Sequence, residues 1–249
     1  MNAFCACATV RSVLLRALLA SSMVMISCAG ALAQSSTALS EAQVWPEADA
    51  HIEFPSHLRL LVFSGVQQGV DYPYQQWYSS AGLGYQFKPI RLPHLVNIDP
   101  DKEFHFLAGA GYEFLRTIQS GKVKNEDRII VEMTFSFRLP SEFLLQDRNR
   151  VEFRWVNGAY STRYRNLLFL ERDFLLHGFR FSPYGSAEVF YDISKNSWDE
   201  EWYTAGIQWP YKHIFMLDTY YQRQNCPTCN PAYWNVAGLT LNFYFGNRK

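Results

Sequence analysis

Twelve charged residues fall into four groups: Arg128, Glu132 and Arg138; Arg148, Arg150, Glu152 and Arg154; Arg163, Arg165 and Glu171; and Arg180 with Glu188. Within each group the spacing is even, and in a strand successive side chains alternate between faces, so each group shares one face. Neighbouring antiparallel strands bring such residues within cross-strand reach, where guanidinium and carboxylate can pair through two hydrogen bonds. Eight arginines against four glutamates leave a basic excess. Two uses fit that excess. One is a paired network filling a narrow interior, where hydrogen-bonded charges are tolerable and lone ones are not. The other is a path or seat for a small anionic solute or a lipid headgroup.

Other chemistry has little to stand on. The chain has no Gly-x-Ser-x-Gly elbow, no His-Glu-x-x-His pair and no phosphate-binding loop. Gly82-Leu83-Gly84 and Gly109-Ala110-Gly111 lack the third glycine and following helix of a dinucleotide site, and read as a glycine-lined strand face. His51, His57, His94, His105, His177 and His213 are scattered without metal-ligand spacing, so neither a metal nor a cofactor is expected. An enzyme that modifies lipids could assemble Ser, His and Asp from separate strands, but no local motif marks one. Cys226 and Cys229 share a turn-rich loop with no helix to follow, which favours a local disulfide over a redox or metal site.

The elements that must position these groups have a period of two. Val151, Phe153 and Trp155 alternate with Arg150, Glu152 and Arg154, and Ile129, Val131, Met133, Phe135 and Phe137 alternate with Arg128, Glu132 and Arg138, Ile130 being the exception. Phe179–Tyr191, Gln75–Phe87, Phe104–Phe114 and Tyr233–Phe245 alternate in the same sense. Arg59–Gln67, Ser161–Arg172, Trp202–Trp209, His213–Gln224 and a short Glu47–Phe54 complete eleven segments joined by turn residues such as Asn157-Gly158 and His177-Gly178. No amphipathic helix is evident.

At the N-terminus, Arg11 and Arg16 accompany an apolar run ending near Cys28, and Ala31-Leu32-Ala33 places small residues before a cleavage point. Residues 1–33 therefore read as a cleaved secretory signal, with acylation at Cys28 as the alternative. Cleavage would leave Cys226 and Cys229 as the only cysteines of a 34–249 domain in an oxidising compartment. Aromatics make up 16% of the 249 residues, charged residues 18%, and the net charge is zero, which excludes a disordered tail or a basic nucleic-acid binder. The expectation is all-β: an antiparallel transmembrane β-barrel of ten to twelve strands in the outer membrane of a Gram-negative bacterium, aromatics toward lipid and a polar lumen. Bacterial single-chain barrels have even strand numbers. That leaves ten strands if Glu47–Phe54 stays outside the barrel, or twelve if another strand precedes it. The implied partners are membrane lipid and the outer-membrane assembly machinery, the latter addressed by the spaced apolar residues ending in Phe245. A soluble periplasmic, lipocalin-like binder of an apolar ligand would show the same alternation turned inside out.

Several segments together resemble an uncharacterised bacterial family, number 2490 among the domains of unknown function. They are Arg148-Asn149-Arg150-Val151-Glu152-Phe153-Arg154, Tyr164-Arg165-Asn166-Leu167 with Leu170-Glu171-Arg172, and Pro183-Tyr184 with Glu188-Val189-Phe190-Tyr191-Asp192. Tyr203-Ala205-Gly206, Tyr220-Tyr221-Gln222-Arg223-Gln224 and Trp45 fit the same pattern. The resemblance implies an outer-membrane barrel and carries no reaction. Leu167–Leu170 departs from it, where alternating basic residues would continue.

Overall fold

A computed structural model describes residues 40–89, 104–212, 214–229 and 231–246. Residues 1–33, read above as an export signal, with Cys28, His94, His213 and the stretch 90–102, lie outside the described residues. The strands are β1 (Ser40–Glu53), β2 (Leu58–Gly69), β3 (Tyr74–Pro89), β4 (Phe104–Gln119), β5 (Lys122–Arg138) and β6 (Phe143–Val156). They continue with β7 (Ala159–Arg172), β8 (Phe174–Leu176), β9 (Phe179–Asp192), β10 (Ser197–Tyr211), β11 (Phe215–Asn225) and β12 (Tyr233–Gly246). Among the described residues the only helical turn is Pro140–Glu142, and no helix is long and apolar enough to cross a membrane, which says nothing of a β-barrel.

Each strand pairs antiparallel with the next around the sheet, and β8 prolongs β7 along the same partner, β9. The wall therefore has eleven strands, within the range the sequence sets but neither of the even counts. The reason lies in the closure. β1 pairs with β12 in parallel, from Ser40↔Tyr233 to Glu53↔Gly246, and an odd number of alternating strands can close only through one parallel pair. Glu47–Phe54 is the second half of a full barrel strand that begins at Ser40. The sheet has no free edge along that seam.

Two-residue turns fix the register of three hairpins. Ser120-Gly121, Asn157-Gly158 and His177-Gly178 all take positive φ at both positions, the geometry whose twist matches a right-handed strand pair. β4 and β5 run longer than their alternation suggests. Their Leu115–Asp127 hairpin carries polar residues on both faces, so the period-two signal fades before the ladder ends.

Alternation sorts the faces unambiguously. On β5 the outward Ile129, Val131, Met133, Phe135 and Phe137 are each between 38% and 49% exposed, while Glu126, Arg128, Ile130 and Ser136 are buried inside. The Ile130 exception is thus an apolar residue in the lumen. Outward rings Tyr85, Phe87, Phe106 and Phe135 form a ladder across β3 to β5 with centroids 4.6, 5.1 and 4.9 Å apart. One outward patch breaks the pattern. On β6 and β7, Asn166 Nδ2 donates to Asp147 Oδ1 (2.7 Å), and Tyr164 OH donates to Asn149 Oδ1 (2.5 Å).

Inward glycines set the wall's curvature. Gly65, Gly206 and Gly238 stand directly across from Tyr78, Tyr184 and Tyr220 on the neighbouring strands, and each tyrosine ring lies flat over its glycine. A Cβ at any of the three would come within 2.0–2.6 Å of the hydroxyl end of the ring. Gly238→Ala should therefore displace Tyr220 and destabilise the fold by about 1–3 kcal/mol. Gly185→Ala, whose Cβ would meet only Thr204 O at 3.8 Å, should be nearly neutral. Equilibrium urea unfolding of both variants checks the contrast.

Candidate functional site

The lumen is the candidate site, because strand alternation turns most charged side chains of the wall into it. The registers Glu113↔Arg128, Arg128↔Arg154, Glu132↔Arg150 and Glu152↔Arg163 place opposite and like charges across adjacent strands. The side chains resolve that ladder into chains of ion pairs. Glu126 accepts from Arg128 Nε (2.7 Å) and Arg154 Nε (2.6 Å), and Arg128 Nη1 reaches on to Glu113 (3.0 Å). Arg150 donates Nε and Nη2 to the same oxygen of Glu132, at 2.9 and 2.7 Å.

The densest part centres on Glu152, which is fully buried. Its Oε2 accepts from Arg163 Nε (2.9 Å) and its Oε1 from Arg165 Nη1 (2.7 Å). Arg165 turns its other nitrogens to Glu188 in a two-point pair (Nε 3.0 Å, Nη2 2.8 Å), and Arg148 Nη2 joins the same carboxylate at 3.1 Å. Beneath them lies the buried ring of Phe190, 4.5 Å from the Arg165 guanidinium and 5.0 Å from that of Arg163. Trp202 packs 4.6 Å from Phe190, and Trp45 of β1 meets Trp202 edge-on at 5.9 Å. Aromatic faces thus receive the cations where water cannot. At this level the lumen is filled.

Ten of the twelve charges read from the sequence belong to these pairs or to their charged surroundings: Arg128, Glu132, Arg148, Arg150, Glu152, Arg154, Arg163, Arg165 and Glu188 are paired, and Glu171 is buried on the same face of β7. Arg138 lies at the far end of β5, within the electrostatic reach of Asp173 and Glu171. Arg180 stands apart, on the β8–β9 extension, with no ion pair among the described residues. On β7, Leu167 and Phe169 replace charge in the lumen, and Phe169 stacks on Tyr184 at 4.8 Å.

A second cluster escapes the sequence reading. Tyr78 OH donates to Glu47 (2.6 Å), Tyr184 OH to Asp218 (3.1 Å), and Asp49, beside Glu47, neighbours Arg59 and Asp218. Arg59 also contacts His51, which hydrogen-bonds Asn242 (3.2 Å) and stacks on Tyr244. Tyr78 and Tyr184 are also the residues that cover Gly65 and Gly206, so hydroxyl position and backbone approach are coupled. Their signal was present as Glu47, Asp49, His51 and Glu53 at even spacing, but that segment was too short in the sequence reading to show its face. With Glu47, Asp49, Glu53, Glu113, Glu126 and Asp218 in the lumen, carboxylates outnumber arginines. The basic excess belongs to the β6–β7 wall and not to the lumen as a whole.

Cys226 and Cys229 form a disulfide in the loop between β11 and β12. Among the described residues no group of three or more His, Cys, Asp or Glu could hold a metal ion.

The sequence profile of a family described as a protein of unknown function (DUF2490) matches residues 42–235. No curated protein matches the chain.

Removing one partner of a buried pair strands the others. Glu152→Ala leaves two buried guanidiniums without their carboxylate and should lower stability by about 3–5 kcal/mol. Glu152→Gln, which keeps one acceptor oxygen and the side chain's volume, should lose less. Urea titration followed by tryptophan fluorescence measures both, and an unchanged midpoint in the alanine variant would mean that water replaces the carboxylate.

Proposed function

The chain belongs to the DUF2490 family, and from that premise we propose that it is an outer-membrane β-barrel of a Gram-negative bacterium whose lumen is closed by its own Arg/Glu network. The observation that carries the reading is the inverted amphipathicity of the wall. Large aliphatic and aromatic side chains cover the outside, and paired charges fill the inside. A soluble barrel needs the opposite order, since its apolar face is what drives folding in water.

Dimensions support the same environment. Ile129 to Phe137 spans nine residues, roughly 20 Å of height for a strand tilted by 35–45°, close to the apolar band of membrane barrels. Outward tyrosines mark one rim: Tyr203 OH donates to Glu201 (3.0 Å) and Tyr221 OH to Asn235 (2.6 Å), an apolar body with a polar tip, as suits a membrane–water boundary. The closed seam between β1 and β12 leaves no unpaired backbone edge there to face hydrocarbon.

In this reading the signal of residues 1–33 directs export, the assembly machinery receives the β12 strand with Phe245 near its end, and lipid is the main partner. Phe190, Glu152 and Val236, all fully buried, favour a filled barrel over an open pore. A small anionic solute is then a bound guest of the lumen and not a current carrier. Three outcomes test this. The protein should fractionate with outer membranes and shift in gel mobility only after boiling. Planar bilayers should show no ohmic single-channel current. Val131→Arg should destabilise the barrel refolded into lipid by about 2–4 kcal/mol, whereas an exposed surface site in a soluble protein would change by less than about 0.5 kcal/mol. Soluble fractionation without a mobility shift would overturn the reading.

A further inference from the structure

Between the two polar clusters the lumen wall is bare. Gly82 and Gly84 on β3 stand directly across from Gly111 and Gly109 on β4, so four adjacent inward positions carry no side chain. The hollow they leave has a volume of about 70 Å³. Leu61 and Phe63 of β2 bound it on one side and Ile130 of β5 on the other, the same Ile130 that breaks the charge alternation of its strand. Its charged lining consists of two guanidiniums, Arg59 and Arg150, against the single carboxylate of Glu132.

Tight backbone approach accounts for part of the quartet. A Cβ on Gly111 would come within 2.9 Å of Ala81 O, and one on Gly109 within 3.1 Å of Leu83 O. It does not account for Gly84. There a Cβ would meet only the Leu107 side chain at 3.4 Å and Ala108 O at 3.7 Å, which is ordinary contact. Nor does close backbone approach ask for Leu61, Phe63 and Ile130 around the gap, beside the paired charges of β5 and β6. A hollow with apolar walls holds water poorly, yet this one has cations at its edge. Arg150 gives Nε and Nη2 to Glu132, and no partner for its Nη1 occurs among the described residues.

We infer that this hollow is a binding site for a short-chain aliphatic carboxylate, its alkyl chain against the glycine wall and its carboxylate toward Arg150 and Arg59. The volume sets the length. At about 70 Å³ the hollow takes only a few water-sized groups. Propionate and butyrate fit; a long fatty acid does not. The inference rests on the filled-lumen reading, because an open pore would leave the hollow continuous with bulk water.

The test uses the full mature chain in detergent, with butyrate as the probe and saturation-transfer NMR as the readout. Butyrate should give a saturable signal that butylammonium, of equal length and opposite charge, does not reproduce. Gly84→Leu, which fills the hollow, and Arg150→Gln, which removes the charge, should each weaken butyrate binding at least tenfold. Ile130→Phe fills the hollow from the opposite wall and serves where Gly84→Leu fails to show the heat-dependent mobility shift of the folded barrel. Equal signals from butyrate and butylammonium, or undiminished binding in a folded cavity-filling variant, would overturn the site and report micelle partition only. The mobility shift and fractionation read the membrane barrel independently. A folded membrane barrel that ignores butyrate sinks the site alone, and a soluble protein sinks the location whatever butyrate does.

Discussion

The β6–β7–β9 side of this barrel depends on keeping Glu152 charged where no water reaches it. A buried carboxylate persists only if its attraction to fixed cations offsets the loss of hydration. Here Arg163 and Arg165 take its two oxygens, and the second face of Arg165 is occupied by Glu188. No member of that chain can be placed without the next. The pairs reach across β6, β7 and β9, so the network fixes the register of three strands at once, which backbone ladders alone leave open to slippage. The aromatic pair Phe190 and Trp202 then closes the remaining gap, carrying the constraint to β10, and Trp45 carries it across to β1.

The other half of the wall solves the same problem by different means. Two of its carboxylates, Glu47 and Asp218, accept from tyrosines. A tyrosine ring is too large to stand upright in a narrow lumen beside its neighbours. It lies down over a glycine on the adjacent strand, and the hydroxyl then reaches a carboxylate one or two strands further on. Packing and polar satisfaction are thereby one arrangement. The odd strand number fits this economy: a parallel seam lets β1, with Trp45, Glu47, Asp49 and His51 all inward, complete the ring beside β12.

Much of this was legible in the sequence, and the limits have physical causes. Even spacing of Arg148, Arg150, Glu152 and Arg154 announced a charged strand face, because a period of two survives any context in which the two faces differ. It also gave the partners in kind, since arginine and glutamate sharing a dry interior must pair. Which arginine meets which glutamate depends on register, and register is set by turns and by the closure, neither of which a face pattern contains. The even-number expectation failed for that reason. β1 looked short because Ala48 and Ala50 present little apolar signal opposite Glu47 and Asp49, and its first half, from Ser40, mixes polar residues on both faces. The tyrosine cluster was invisible for another reason: an inward tyrosine in a barrel and an outward one read alike in a single strand, and only the glycine across from it tells them apart.

The departures from the amphipathic order gather on β6 and β7, and they are complementary. Inside, Leu167 and Phe169 stand where charge would continue, while outside, at Asp147, Asn149 and Asn166, polar groups interrupt the apolar band. Register places them level with one another, since Asp147 pairs with Leu168 and Asn149 with Asn166. A local exchange of faces of this kind costs little at the backbone, because every ladder hydrogen bond is kept. It costs more at the side chains, unless the outward polar atoms find partners among themselves. They do: Asn166 reaches both Asp147 (2.7 Å) and Asn149 (3.2 Å), and Tyr164 supplies a further donor to Asn149. The outer patch is thus a small network built on the same rule as the lumen, polar groups paired with one another. Its presence on the strands that also carry the Glu152 network means that β6 and β7 are tied by side chains on both faces. The bare glycine pair β3 and β4, with no inward side chains at four adjacent positions, is by the same logic where the wall is held least by side chains and where a guest can be accommodated with least rearrangement.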